Sequence, residues 1–247
     1  LVGSEMCIRD SFIGGQDVEK ALGILEVAKK SMFPPFELAV IVDPRGAYTT
    51  ASAAVAKTLV LFTEKGFGDF SGKNATVLAG TGPVGQVAAR LYAMEGCNVI
   101  VTSRELQRAR AVASKINEEI GAEKAFGEQA SAPDETAETV RKAEIVLSAG
   151  AAGIQLLPTN ILKDYGKRCK VVGDINAVPP VGVEGLKPTD NGVEFLPGIW
   201  GIGALAIGPF KSQIEAELFK RAVESSRGIL DYKVAYDIAK SIALPHA

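Results

Sequence analysis

The sequence is poor in the residues that carry most proton and metal chemistry. It holds one histidine among 247 residues, His246, second from the end. That leaves a histidine general base or a histidine metal cluster almost no place in this chain, and no metal is expected. Cysteines number three, Cys7, Cys97 and Cys169, an odd count without C-x-x-C spacing. A disulfide framework or zinc site is disfavoured, and a reducing, cytoplasmic compartment is the simpler expectation. No serine sits in a nucleophile elbow, and no cysteine has a histidine partner. No apolar run approaches the roughly 18 residues that cross a bilayer, so no membrane partner is expected. A basic excess is also missing: 27 Lys and Arg stand against 29 Asp and Glu, for a net charge of −2. Nucleic-acid binding, which needs a basic face, is not expected.

What is present is a βαβ pattern around a glycine turn. Ala75 to Ala79 reads as a buried strand, Gln86 to Met94 as a helix, and Asn98 to Val101 as a second strand. Between the first two lies Gly80-Thr81-Gly82-Pro83-Val84-Gly85. A G-x-G-x-x-G string in this context points to dinucleotide binding. The first glycine permits the turn, the second lets backbone approach a pyrophosphate, and the third lets helix and strand pack closely. The helix N-terminus offers free N–H groups and a positive dipole end to phosphate. The second strand runs out in Thr102-Ser103-Arg104, where NAD-preferring sites carry an acid about 20 residues past the glycines. Hydroxyls and a guanidinium suit a 2′-phosphate, so NADP is favoured, with NAD possible. The alternative for Arg104 is that it only opens the next helix.

The rest of the chain reads as α/β: a Rossmann-type doubly wound parallel sheet plus a smaller, N-terminally truncated α/β substrate domain. Residues 1–11 are expected to be a non-native segment, because Leu1 is not an initiator and Leu1 to Ser11 has no clear period. Residues 12–70 read as a partial substrate domain: an amphipathic helix over Asp17 to Lys30, a strand over Phe36 to Val42, and a long Ala/Val/Leu helix stopping near Gly66. Gly66 to Lys73 reads as a linker. Residues 71–208 form the nucleotide-binding domain, with further helices over Glu105 to Ile120, Pro133 to Lys142 and Leu157 to Asp164. Its later strands are Glu144 to Ser148 and Lys170 to Asp174. Residues 209–247 contribute two helices, Pro209 to Ser225 and Tyr232 to Ile242, that return to the first domain.

Ligands on an open parallel sheet sit beyond the carboxyl ends of its strands. Ser148, Ala149 and Gly150 therefore come near a nicotinamide ribose, and Asp174 and Asn176 end the next strand in the same cleft. The alternative for Asp174 and Asn176 is a turn before Pro179. Trp200 to Gly208 reads either as a flexible wall over the nicotinamide or as a tight helix entry. Candidate acids and bases are few: Asp43, Asp174, Asp190 and Lys211. Such scarcity suits a hydride transfer with little proton chemistry, or a function that is not catalytic.

Five stretches together resemble a known family. They are Thr76 to Gly85, Ala149 to Pro158, Asp174 to Gly182, Gly203 to Gly208, and Asp43 to Ala54 with its Gly46, Thr49 and Thr50. The chain resembles the bacterial methylene-tetrahydromethanopterin dehydrogenases of one-carbon metabolism. The resemblance implies oxidation of the methylene bridge of methylene-tetrahydromethanopterin to the methenyl form, with NADP, or sometimes NAD, taking the hydride. It implies a tetrahydromethanopterin-type pterin substrate and a homo-oligomer. It also implies a role for Lys211 in pterin orientation or in modulating N5 and N10, and places Asp43 in the substrate motif. The family carries further chain before the equivalent of Phe12. A methylene-tetrahydrofolate dehydrogenase, a shikimate-dehydrogenase-like reductase and a non-catalytic NADP-binding protein stay open as alternatives.

Overall fold

The computed structural model describes residues 10–225 and 227–244. The expectations for residues 1–9 and for His246 lie outside the described residues. In chain order the elements are β1 (Asp10–Ile13), α1 (Val18–Ser31), β2 (Ala39–Val42), a 3-10 turn (Pro44–Gly46), α2 (Ala47–Glu64), β3 (Asn74–Leu78), α3 (Pro83–Met94), β4 (Asn98–Ser103) and α4 (Leu106–Ile120). There follow β5 (Ala125–Gln129), α5 (Pro133–Arg141), β6 (Ile145–Ser148), α6 (Thr159–Tyr165), β7 (Val171–Asp174), β8 (Asn191–Leu196), β9 (Ile199–Ile202), α7 (Ala204–Ser225), β10 (Gly228–Leu230) and α8 (Tyr232–Ala243).

Two sheets result. The larger has seven strands in the order β5-β4-β3-β6-β7-β9-β8, parallel except for the antiparallel edge pair β8–β9. Its first six strands give the Rossmann order, with the switch point between β3 and β6. The smaller sheet is β1-β2-β10, parallel throughout. Asp10 and Ser11, read from sequence as the tail of a non-native segment, open β1 and pair with Ala39 and Val40.

Helix α2 lies at the centre and packs on α3, α7 and α8. It is apolar nearly all round and buries Ala47, Ala51, Ala53, Ala54 and Ala56. A helix of that kind belongs inside a protein, and its alanines let neighbouring helices approach closely. The segment read as a linker, Gly66 to Lys73, is pinned rather than loose. Phe70 is buried and packs on Phe62 and Tyr92, with ring centroids 5.7 and 5.5 Å away.

Sequence periodicity found strands β2, β3, β4, β6 and β7 and missed the buried β9 together with the edge or polar strands β5, β8 and β10. Strand β5, Ala-Phe-Gly-Glu-Gln, is exposed on alternate residues and broken by Gly127. Strand β8 is a polar edge strand with an irregular register. Trp200 to Gly208 holds most of strand β9 and the start of α7, which begins five residues before the expected Pro209. A Cβ on Gly203 would collide with the carbonyls of Lys187 and Pro188, so the glycine serves a tight helix entry.

A Cβ on Gly127 would overlap the α4 backbone at Ala109 and Arg110. Gly127→Ala is therefore expected to cost about 3 kcal/mol, in the range for overpacked interiors. Urea unfolding checks this, and a loss below about 0.5 kcal/mol, the range of neutral surface changes, contradicts it.

Candidate active site

The carboxyl ends of β3, β4 and β6 open onto one cleft of about 660 Å³. Its lining includes Thr81, Gly82, Pro83 and Val84 after β3, Ser103, Arg104, Glu105 and Arg108 around the end of β4, and Ala149, Gly150 and Ala151 after β6. Ile175 closes it beyond β7, and Arg45 enters from the turn after β2. The cleft thus lies where the strand ends of both sheets meet.

Two of the three glycines in the turn are fixed by sterics within the chain. A Cβ on Gly80 would sit 2.8 Å from Val101 Cγ1 and 2.9 Å from the Val77 carbonyl. A Cβ on Gly85 would sit 2.7 Å from Gly80 Cα, so α3 could not approach β3. Gly82 differs: a Cβ there meets nothing closer than 3.5 Å. The chain itself tolerates a side chain at Gly82, and what the glycine leaves open is the cleft. Ala79 takes a left-handed φ of 52° just before the turn. Thr102 Oγ1 accepts from Ala79 N at 3.1 Å, and Gln86 Nε2 donates to the Thr81 carbonyl at 2.7 Å. The first turn of α3 leaves the Val84 and Gly85 N–H groups without intrahelical acceptors. These features fit the diphosphate of a dinucleotide.

At the far end, Arg104 is exposed on the cleft rim. Sequence reasoning missed Arg108, one helical turn further on, which lines the same rim and pairs with Glu105 at 3.7 Å. The available signal was its place in the first turn of the helix that opens directly after Arg104. Ser103 is buried, and its Oγ accepts from Glu105 N at 3.2 Å.

Ala149 and Gly150 line the cleft, whereas Ser148, Asp174 and Asn176 are buried and do not appear among its lining residues. Ser148 and Asp174 are register partners across β6 and β7. The Asp174 carboxylate accepts from Asn176 N at 3.1 Å and Val183 N at 3.0 Å. Burial raises its pKa, against the hydrogen bonds from those amides. Asn176 Oδ1 accepts from Val178 N at 2.8 Å and Gly153 N at 3.3 Å, and its Nδ2 donates to the Pro180 carbonyl at 3.1 Å. Asn176 ties the loop after β6 to the loop after β7, and Asp174 holds the loop after β7; a turn was the alternative read from sequence for these two residues.

Asp43 follows β2 and is buried. Its Oδ1 accepts from Tyr48 N at 2.8 Å and Thr49 N at 3.3 Å, and its Oδ2 accepts from Thr49 Oγ1 at 2.6 Å. The carboxylate holds the first turn of α2 on the 3-10 turn. Lys211 comes from α7, with Nζ 3.3 Å from Glu215 Oε2. It passes over Gly46, where a Cβ would lie 3.1 Å from Lys211 Cε and 3.3 Å from Nζ. Asp43 and Lys211, far apart in sequence, therefore flank the same short turn. Among the described residues no group of three His, Cys, Asp or Glu could hold a metal ion.

The sheet order, the glycine turn at its switch point and the second small sheet define a two-sheet α/β protein with a Rossmann-type nucleotide-binding half. A family model described as "Methylene-tetrahydromethanopterin dehydrogenase, N-terminal" matches residues 5–45, and one described as "Shikimate / quinate 5-dehydrogenase" matches residues 62–184. The bifunctional protein MdtA of Methylorubrum extorquens is 37% identical over 94% of this chain and 78% of its own length. The NAD(P)-dependent methylenetetrahydromethanopterin dehydrogenase of the same organism is 33% identical, over 94% of this chain and 78% of its own. The chain belongs to the methylene-tetrahydromethanopterin dehydrogenase family. Quinate dehydrogenase from Corynebacterium glutamicum, solved with NAD, shares the fold at a TM-score of 0.50 and 15% identity, covering 93% of this chain and 98% of that one.

Burial raises Asp43 above its ordinary 3.8, while Thr49, Tyr48 and the charge of Lys211 hold it down. A raised carboxylate binds its proton more tightly when folded. Its stabilising contribution is full below pH 3.8 and is lost as pH rises through the raised value. The stability of the natural chain relative to Asp43→Asn is thus expected to fall across that window and level off above it. Urea unfolding at stepped pH checks the sign, and a difference that grows with pH contradicts it.

Proposed function

We propose that this protein oxidises the methylene bridge of methylene-tetrahydromethanopterin to the methenyl form, with NADP as the preferred acceptor and NAD as the second. The observation that carries this reading is the shared cleft. The glycine turn and Arg104 line it from the large sheet, while Arg45 enters from the turn of the small sheet over which Lys211 lies. The relatives' names supply the substrate class, a reduced pterin.

The nicotinamide nucleotide supplies the hydride acceptor when bound. The chain's own residues supply position. The open face at Gly82 and the amides of Val84 and Gly85 hold a diphosphate. Arg104 and Arg108 grip the 2′-phosphate in planar, charge-assisted contacts. Ala149, Gly150 and Ala151 form a backbone wall that lets a flat ring lie close. Ser148, Asp174 and Asn176 support that wall from behind.

The substrate explains the missing histidine. Loss of hydride leaves a resonance-stabilised amidinium-like cation, so no side chain needs to take a proton. Holding the two rings at about 3–3.5 Å between reacting carbons is then the main task. Lys211 orients the pterin, and Glu215 offsets its charge beside a cationic product. Asp43 acts by fixing the turn between them. A ketone reductase needs a lysine–aspartate pair free to deliver a proton, and Asp43 spends its oxygens on Tyr48 and Thr49. That favours the hydride reading over the reductase one.

We further propose a cytoplasmic homo-oligomer. Cys97 and Cys169 are free and buried, as suits a reducing compartment. No helix among the described residues is long and apolar enough to cross a membrane. Ile24, Val27, Phe33 and Phe36 are exposed near one another in sequence, which suits contact with another copy.

The test is nicotinamide reduction followed at the dihydronicotinamide band, with methylene-tetrahydromethanopterin and methylene-tetrahydrofolate as substrates. Turnover with the first is expected, and tight nucleotide binding without turnover on either pterin contradicts the reading. Arg104→Ala should weaken NADP by about tenfold or more while sparing NAD, since a charged hydrogen bond contributes about 1.5–3 kcal/mol. Equal losses for both nucleotides remove the 2′-phosphate role. Gly82→Val should abolish binding of both while costing little stability, because a Cβ there meets nothing closer than 3.5 Å.

A further inference from the structure

Arg45 has no role in the scheme above, and its geometry is unusual. It is one of two non-glycine residues with positive φ among the described residues, at 58°. Side chains take that conformation only at an energetic cost. The next residue, Gly46, is also left-handed, at 63°, but there the chain uses glycine. The strained backbone is pinned: Arg45 N donates to the Gly15 carbonyl at 2.9 Å, and Gly46 N to the Asp43 carbonyl at 3.1 Å. The consequence is that Arg45, alone among residues of the small sheet and its loops, lines the nucleotide cleft. Of the other cations nearby, Arg108 pairs with Glu105 and Lys211 with Glu215, while Arg104 stands unpaired among the described residues at the other end of the cleft. Among the described residues Arg45 has no ion-pair partner within 4.0 Å.

An uncompensated guanidinium, held at the cost of strain and facing a cleft built for a dianionic linkage, calls for an anion. Arg104 and Arg108 lie past β4, at the adenosine end. Arg45 comes from the opposite sheet. We infer that Arg45 reaches across the cleft to the nucleotide's diphosphate and holds it against the amides of α3. This rests on the dinucleotide reading of the cleft. It makes Arg45 a cofactor anchor shared by NADP and NAD, and it makes the small sheet part of the nucleotide site.

The experiment is a fluorescence titration of the full chain with NADPH and with NADH, for the natural protein, Arg45→Gln and Arg45→Gly. Both variants are expected to weaken both dihydronucleotides by a similar factor, about tenfold or more, as loss of a charged phosphate contact requires. Arg45→Gly should also raise the unfolding midpoint, because glycine adopts the left-handed backbone without strain. A tighter fold with weaker binding is a pair of changes that a merely structural arginine would not produce. Unchanged affinity for both nucleotides, or a change confined to the pterin KM, overturns the inference while leaving the dinucleotide reading intact. A natural protein that binds neither nucleotide overturns both.

Discussion

The structure depends on one close approach. Helix α3 starts so near the end of β3 that a single Cβ at position 85 would lie 2.7 Å from the backbone of Gly80. Because those two elements touch backbone to backbone, the amides of the α3 first turn face the switch point of the sheet. Everything else in the cleft is arranged around that mouth. Thr102, Ala79 and Gln86 buttress it, the arginines after β4 extend it, and the wall after β6 closes it.

The second sheet is joined to the first through α2 rather than through a loose hinge. That helix is buried along most of its length and packs on helices of both halves. Its N-terminus is set by Asp43, whose carboxylate binds two backbone amides and one hydroxyl. A buried, fully used carboxylate is a poor acid or base and a good anchor. The same holds for Asp174 in the large sheet. The site therefore places Asp43 and Asp174 in the supporting structure, while Arg45, Arg104 and Arg108 line the cleft, with Glu105 beside them. That distribution suits a phosphorylated ligand and a reaction that moves a hydride rather than a proton.

Much of this was legible in the sequence, for definable reasons. Fully buried parallel strands read as short apolar runs, and the glycine turn carries two steric requirements and one open face in six residues. Strands β5, β8 and β10 were not legible, because each is an edge, short or polar, and β10 pairs with a strand remote in sequence. Ser148, Asp174 and Asn176 were correctly placed at strand ends. Which of their sides faced the cleft depended on the loop 175–183 folding back over them, and no local pattern shows that. Arg45 was invisible for a related reason: its meaning lies in a φ angle and in a cleft formed by the other sheet.

The central claim is that a nicotinamide nucleotide lays its diphosphate on the first turn of α3. A crystal structure of the protein grown with NADP tests it most directly. The account predicts phosphate oxygens within hydrogen-bond distance of the Val84 and Gly85 amides, with the adenosine ribose beside Arg104. Density for the nucleotide elsewhere, with that turn covered by a side chain, would contradict it.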